Sequence, residues 1–130
     1  MTNFVTIRAK SINAKELVEE LLINDKGLLE NFRAELKGTT FIKELPTIIN
    51  YIQHFANGNS VGGRVKYLKN VKDGYTEYEF ITKHLRIYAI QMPNKKIILF
   101  AGIKARHDSS DNISAFREVK KRYLFFMTNQ

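Results

Sequence analysis

Two short runs of β-branched and aromatic residues, joined by a three-residue turn, most constrain this chain. Tyr78-Glu79-Phe80-Ile81 leads through Thr82-Lys83-His84 into Leu85-Arg86-Ile87-Tyr88-Ala89-Ile90. Such runs favour strands, and the polar break between them favours a hairpin. Met92-Pro93-Asn94-Lys95 turns the chain again, into residues 97–103. That stretch, Ile-Ile-Leu-Phe-Ala-Gly-Ile, is nearly all apolar, as expected of a central strand. The sheet therefore needs helices to cover it, and the rest of the chain supplies apolar stripes at helical spacing.

Residues 4–9 alternate and read as a first strand. Asn13 with Glu16 three residues later predicts a helix start, and Leu17, Val18, Leu21 and Leu22 give it an apolar stripe. Asp25-Lys26-Gly27 breaks that stripe, and Leu28, Leu29, Phe32 and Leu36 resume it up to Gly38. A third helix is expected with Pro46 in its first turn and Leu45, Ile48, Ile49, Ile52 and Phe55 on one face. Turn residues from Asn57 to Gly63 end it, and residues 64–68 form a short strand candidate. Ser109-Ser110-Asp111 opens a last helix, with Ile113, Phe116, Val119, Tyr123 and Met127 inward. Arg117, Lys120, Lys121 and Arg122 form its opposite, basic face. The predicted order is β–α–α–α–β–β–β–β–α. It implies an α+β fold: a small antiparallel sheet of about four to five strands with N-terminal helices and a C-terminal helix. One domain spanning residues 1–130 is expected, because domains of this size are common.

Charge narrows the partners. The chain carries 21 Lys and Arg against 13 Asp and Glu, a net charge of +8. Such a balance attracts polyanions or an acidic protein, although a basic soluble protein without such a ligand has the same count. The absence of cysteine excludes disulfides, thiolate zinc sites and thiol catalysis. Neither a phosphate-binding glycine loop nor a nucleophile elbow occurs, and no His/Asp/Glu set has metal-ligand spacing. Residues 3–15 are mixed and polar, and no apolar run reaches the ~20 residues that span a bilayer. A cytoplasmic protein without membrane attachment is the expectation.

The conjunction of segments resembles the RelE/ParE toxin superfamily, its HigB-like members in particular. The residues that carry the likeness are Leu68-Lys69-Asn70, Gly74 with Tyr78-Glu79-Phe80, Leu85-Arg86-Ile87-Tyr88, residues 97–104, and the helix containing Phe116 and Tyr123. Together they cover about residues 45–125. The resemblance implies the toxin of a type II toxin–antitoxin pair, a metal-independent endoribonuclease that cuts mRNA at the ribosome and is held by a cognate antitoxin protein. It implies no cofactor. ParE-like members imply an alternative, a non-nuclease acting on DNA gyrase, and an inactive partner-binding or nucleic-acid-binding module is a third reading. Ile81 stands where many relatives carry arginine, and Glu77 and Glu79 stand where ribosome-dependent members carry lysines.

Metal-free RNA cleavage by a ribose 2′-OH needs a base, an acid and cations on the phosphate. Arg86 matches the family's strand arginine; it is either such a cation or a surface residue paired with Glu77 or Glu79 across the hairpin. Lys104 and Arg106, two apart at the strand's end, share one face and suit a phosphate or a solvated strand end. His107 suits proton transfer near neutral pH, or is an exposed loop residue. Tyr123 either stacks or donates a proton, or packs in register with Phe116 and Val119. Arg64, Lys66, Lys83, Lys120 and Lys121 complete the expected nucleic-acid-binding set. His54 and His84, on a helix and at a turn, are weaker candidates.

Overall fold

The computed structural model describes residues 4–104 and 110–129. The strands are β1 (Thr6–Arg8), β2 (Leu17–Ile23), β3 (Lys26–Gly27), β4 (Val65–Tyr67), β5 (Glu77–Ile81), β6 (Leu85–Met92) and β7 (Lys95–Ile103). The helices are α1 (Leu28–Leu36), α2 (Leu45–Ala56) and α3 (Ser110–Thr128), with a 3-10 turn at Thr40–Glu44 before α2. The described residues form a seven-stranded sheet in the order β1-β2-β7-β6-β5-β4, with β3 paired to β2.

The α+β class stands, with helices before the meander and one after it. The sheet is larger than expected and mixed: β2 runs parallel to β7, with Leu17 opposite Lys95 and Glu20 opposite Ile98. Most of the enlargement comes from residues 17–23, expected as helix and found as strand. Asn24 and Asp25 both take positive φ, 52° and 65°. That is the geometry of a two-residue hairpin turn, and it pairs Leu22 with Gly27 and Ile23 with Lys26. Once the turn is closed, β2 finds β1 on one side and β7 on the other, and both backbone edges are satisfied.

Pairing register fixes the two faces. Tyr78 lies opposite Ala89 and Phe80 opposite Ile87. Phe55 of α2 meets Tyr78 and Phe80 edge-on. The alternate residues, Glu79 opposite Tyr88, turn to α3, whose Phe116 stacks on Tyr88 at 5.2 Å. α1 packs on β2 and β7, where the Leu29 N–H donates to Glu20. The core is continuous across β6 and β7, with Ile87, Ile90, Ile97 and Ile98 fully buried. Pro46 occupies the first turn of α2, as expected. No helix among the described residues is long and apolar enough to cross a membrane.

The parallel ladder stops at Glu20 and Ile98. Beyond it β2 and β7 part, near an irregularity in the β6–β7 pairing at Tyr88/Ala89. A cleft of about 520 Å³ opens there, lined by Leu21, Leu22, Leu99, Phe100, Phe32 of α1 and Val119 of α3.

Candidate functional site

The β5–β6 turn brings together several chemistry-bearing residues, among them Lys83, His84, Arg86 and Lys104. Thr82 closes it: its N–H donates to the Leu85 carbonyl at 3.1 Å, and its hydroxyl accepts from the Leu85 N–H at 3.1 Å. Arg86, the second residue of β6, is only 6% exposed. Its guanidinium folds back, donating to the Thr82 carbonyl at 2.5 Å and the Leu85 carbonyl at 2.8 Å. The glutamates weighed as its cross-hairpin partners are engaged elsewhere. Glu77 accepts from Arg117 and Lys120, and Glu79 accepts from the Tyr88 hydroxyl at 2.7 Å.

Lys104 reaches the same corner because β7 runs antiparallel to β6, which sets Ile103 opposite Leu85. Its backbone N–H donates to the His84 carbonyl at 2.8 Å, and its side chain is exposed. Lys83 is exposed in the turn itself. Arg106 and His107 lie outside the described residues.

A carboxylate–imidazole pair completes the corner. Glu44, at the end of the 3-10 turn, accepts from the His84 backbone N–H at 2.8 Å through Oε1. Its Oε2 sits 2.6 Å from His84 Nδ1. The imidazole also stacks on Phe41 at 4.4 Å. Burial pushes the Glu44 carboxyl upward, but the Thr82 hydroxyl and the two His84 contacts outweigh it and hold the group below its ordinary value. The sequence put His84 among the weaker histidines. Its partner is 40 positions away, and only the packing of the 3-10 turn against the hairpin brings them together.

The remaining expected residues scatter. Arg64 is exposed beside α2, its guanidinium 5.3 Å from the Tyr51 ring, and Lys66 is exposed on edge strand β4. Lys121 is exposed on α3. Lys120, placed by its helical register on the basic face, is instead 2% exposed: it bonds Asp73 at 2.7 Å and Glu77 at 2.8 Å beneath α3. A lysine so enclosed presents no cation to a ligand, and burial among carboxylates is what holds it there. Tyr123 is also 2% exposed and meets Phe4 edge-on. Burial pushes its phenol upward. Its inward packing agrees with the core alternative for this residue. No group of three or more His, Asp or Glu with metal-holding geometry occurs among the described residues.

No family model matches the chain, and no curated protein or solved structure matches it either.

Proposed function

We propose that this chain is the toxin of a type II toxin–antitoxin pair, a RelE/ParE-type endoribonuclease that cuts mRNA at the ribosome without metal. The observation that carries this reading is the meeting of Arg86, Lys104 and the Glu44–His84 pair at one corner of a basic protein. The exposed Lys83 and Lys104 of that corner can neutralise phosphate and stabilise the charge that builds as a phosphodiester is attacked, while the buried Arg86 braces the β5–β6 turn. The element order supports the same assignment. An early strand pairs with the last one, two helices intervene, a meander follows, and a helix comes after the apolar strand. The sequence segments quoted above sit in that order. A cognate antitoxin and a cytoplasmic setting belong to the same reading.

Induction in bacterial cells tests it, with the wild-type chain beside Lys104→Ala, whose exposed side chain leaves the core untouched. Growth arrest with new mRNA 5′ ends, both weakened in the variant, is the expected result. A second reading, a non-nuclease acting on gyrase through protein contacts, draws on the burial of Arg86 and Tyr123. Arrest accompanied by DNA damage and no new transcript ends would establish it instead.

A further inference from the structure

We propose that His84, oriented by Glu44, is the proton-transfer group of this corner, and that its substrate is a ribose 2′-hydroxyl beside a phosphodiester. The inference rests on the ribonuclease reading and names a residue within it.

Geometry leads to this assignment. A carboxylate only accepts, so the 2.6 Å contact places a hydrogen on His84 Nδ1, and in the neutral ring the lone pair is then on Nε2. The same carboxylate grips the backbone N–H of the same residue, and Phe41 covers one ring face. The ring is thus fixed in tautomer and in plane, which is what a carboxylate does for a catalytic imidazole. Fixing the turn would require only Nδ1 and the backbone. Yet the His84 side chain keeps 36% of its surface in solvent, and Nε2 has no hydrogen-bond partner among the described residues. An oriented imidazole with an open basic nitrogen is suited to take a proton.

The surrounding charges suit a phosphate. The elements that meet at the ring carry the exposed Lys43 on the 3-10 turn, Lys83 in the β5–β6 turn and Lys104 after β7, with Glu44 next to Lys43 and Arg86 of β6 enclosed against the carbonyls of its own turn. Glu44 is the one acid of that set, and it is spent on His84.

The chemistry balances without a co-reactant. The 2′-hydroxyl gives its proton to His84 Nε2 as its oxygen bonds to phosphorus. The P–O5′ bond breaks, and the 5′-oxygen leaves with a proton from water. His84 then returns its proton to solvent. The products are a 2′,3′-cyclic phosphate and a 5′-hydroxyl, and nothing is oxidised or reduced.

The test uses the purified full chain on an mRNA of defined sequence, free and on bacterial ribosomes, with wild type, His84→Ala, His84→Gln and Glu44→Gln. Cleavage by His84→Ala should fall by about 100-fold or more, the usual scale for a lost general base. Added imidazole should restore at least tenfold of it. The acid limb of the wild-type pH–rate profile should be absent from the residual activity. Glu44→Gln should fall by about tenfold. His84→Gln retains a donor toward Glu44 and should fold like wild type, yet cleave as poorly as His84→Ala. If wild type cleaves and His84→Gln cleaves equally well, the assignment is overturned while the ribonuclease reading stands. Loss in His84→Ala that imidazole does not rescue, with His84→Gln active, makes the pair a structural latch and overturns it too. A wild-type chain that cuts neither RNA overturns the reading and this role together.

Discussion

Glu77 Oε2 and Lys120 Nζ lie 2.8 Å apart, and each side chain keeps only 2% of its surface in solvent. Arg117 holds the other carboxylate oxygen at 2.9 Å, and Asp73 takes a second contact from Lys120 at 2.7 Å. This network fastens α3 to β5 and to the loop before it.

Breaking a buried pair by removing one partner costs about 3–5 kcal/mol, because the remaining charge is stranded. Arg117 stays beside Glu77, so Lys120→Met should lose about 3 kcal/mol in urea unfolding, at the low end of that range. Lys121→Ala, one residue on and exposed, should leave stability within about 0.5 kcal/mol. Equal unfolding midpoints for the two variants would contradict the network's role.

Glu20 carries the opposite kind of cost. Burial pushes its carboxyl above the ordinary value of 4.5, against the pull of the Leu29 N–H. A raised acid binds its proton more tightly in the folded chain. Its contribution is complete below the ordinary value and lost as pH rises through the raised one. Glu20→Gln keeps a carbonyl for Leu29 and removes the charge. It should raise the melting temperature at pH 7 and flatten the decline above about pH 4.5. A lower melting temperature at pH 7 would show that the charge is stabilising.

The neighbouring glycine tests the same site by volume. A Cβ on Gly27 would stand 2.6 Å from the Glu20 carboxylate. That group is buried and bonded to α1, so it has little room to give. Gly27→Ala should destabilise by about 1–3 kcal/mol, the range for overpacking. A neutral effect in denaturant titration would mean that the Glu20 side chain relocates freely.

Acid should loosen two contacts together. Burial pushes Asp73 up, but its bonds from Lys120 and the Tyr75 N–H hold it below 3.8, as Thr82 and His84 hold Glu44 below 4.5. For lowered acids the stabilisation is present above the ordinary values and lost as pH falls through the depressed ones. Thermal melts should therefore drop steeply below about pH 4.5. Glu44→Gln with Asp73→Asn should blunt that drop, and an unchanged acid profile would refute it.

Alkali reports on Tyr78. Burial, with Tyr67 and Glu16 adding to it, pushes this phenol up to about 12. Its hydroxyl donates to Gln91 at 2.9 Å. Tyr78→Phe should therefore remove a late step from the ultraviolet titration and leave the tyrosinate signal at pH 10.5 unchanged. An early step lost instead would mean that Tyr78 is open to solvent.

The meander was legible because its signals are local. β-branched pairs, Pro93-Asn94 and Asp73-Gly74 each act within a few residues, and β5, β6 and β7 fall where they point. Residues 17–22 misled because Leu17, Val18, Leu21 and Leu22 fit a helical stripe as well as a two-sided strand. What decided between them was the Asn24-Asp25 turn and a parallel partner in β7 far along the chain. Lys104 and Arg86 were found as cations, but the burial of Arg86 follows from carbonyls in its own turn. Glu44 and Lys120 owe their surroundings to partners far along the chain, His84 at 40 residues and Glu77 at 43, and helix periodicity carries no trace of such partners.

The parallel pairing of β2 with β7 also sets an order of events. β2 must hold its apolar residues until β7 has been made, because Glu19 and Glu20 pair with Ile97 and Ile98. Translation at about 5–20 residues per second leaves that edge waiting for several seconds. During this interval residues 17–20 of β2 lack the strand that pairs with them on that edge. The nascent chain is therefore most open to wrong partners before its last strand emerges, and slow loop closure makes that pairing the natural late step of folding.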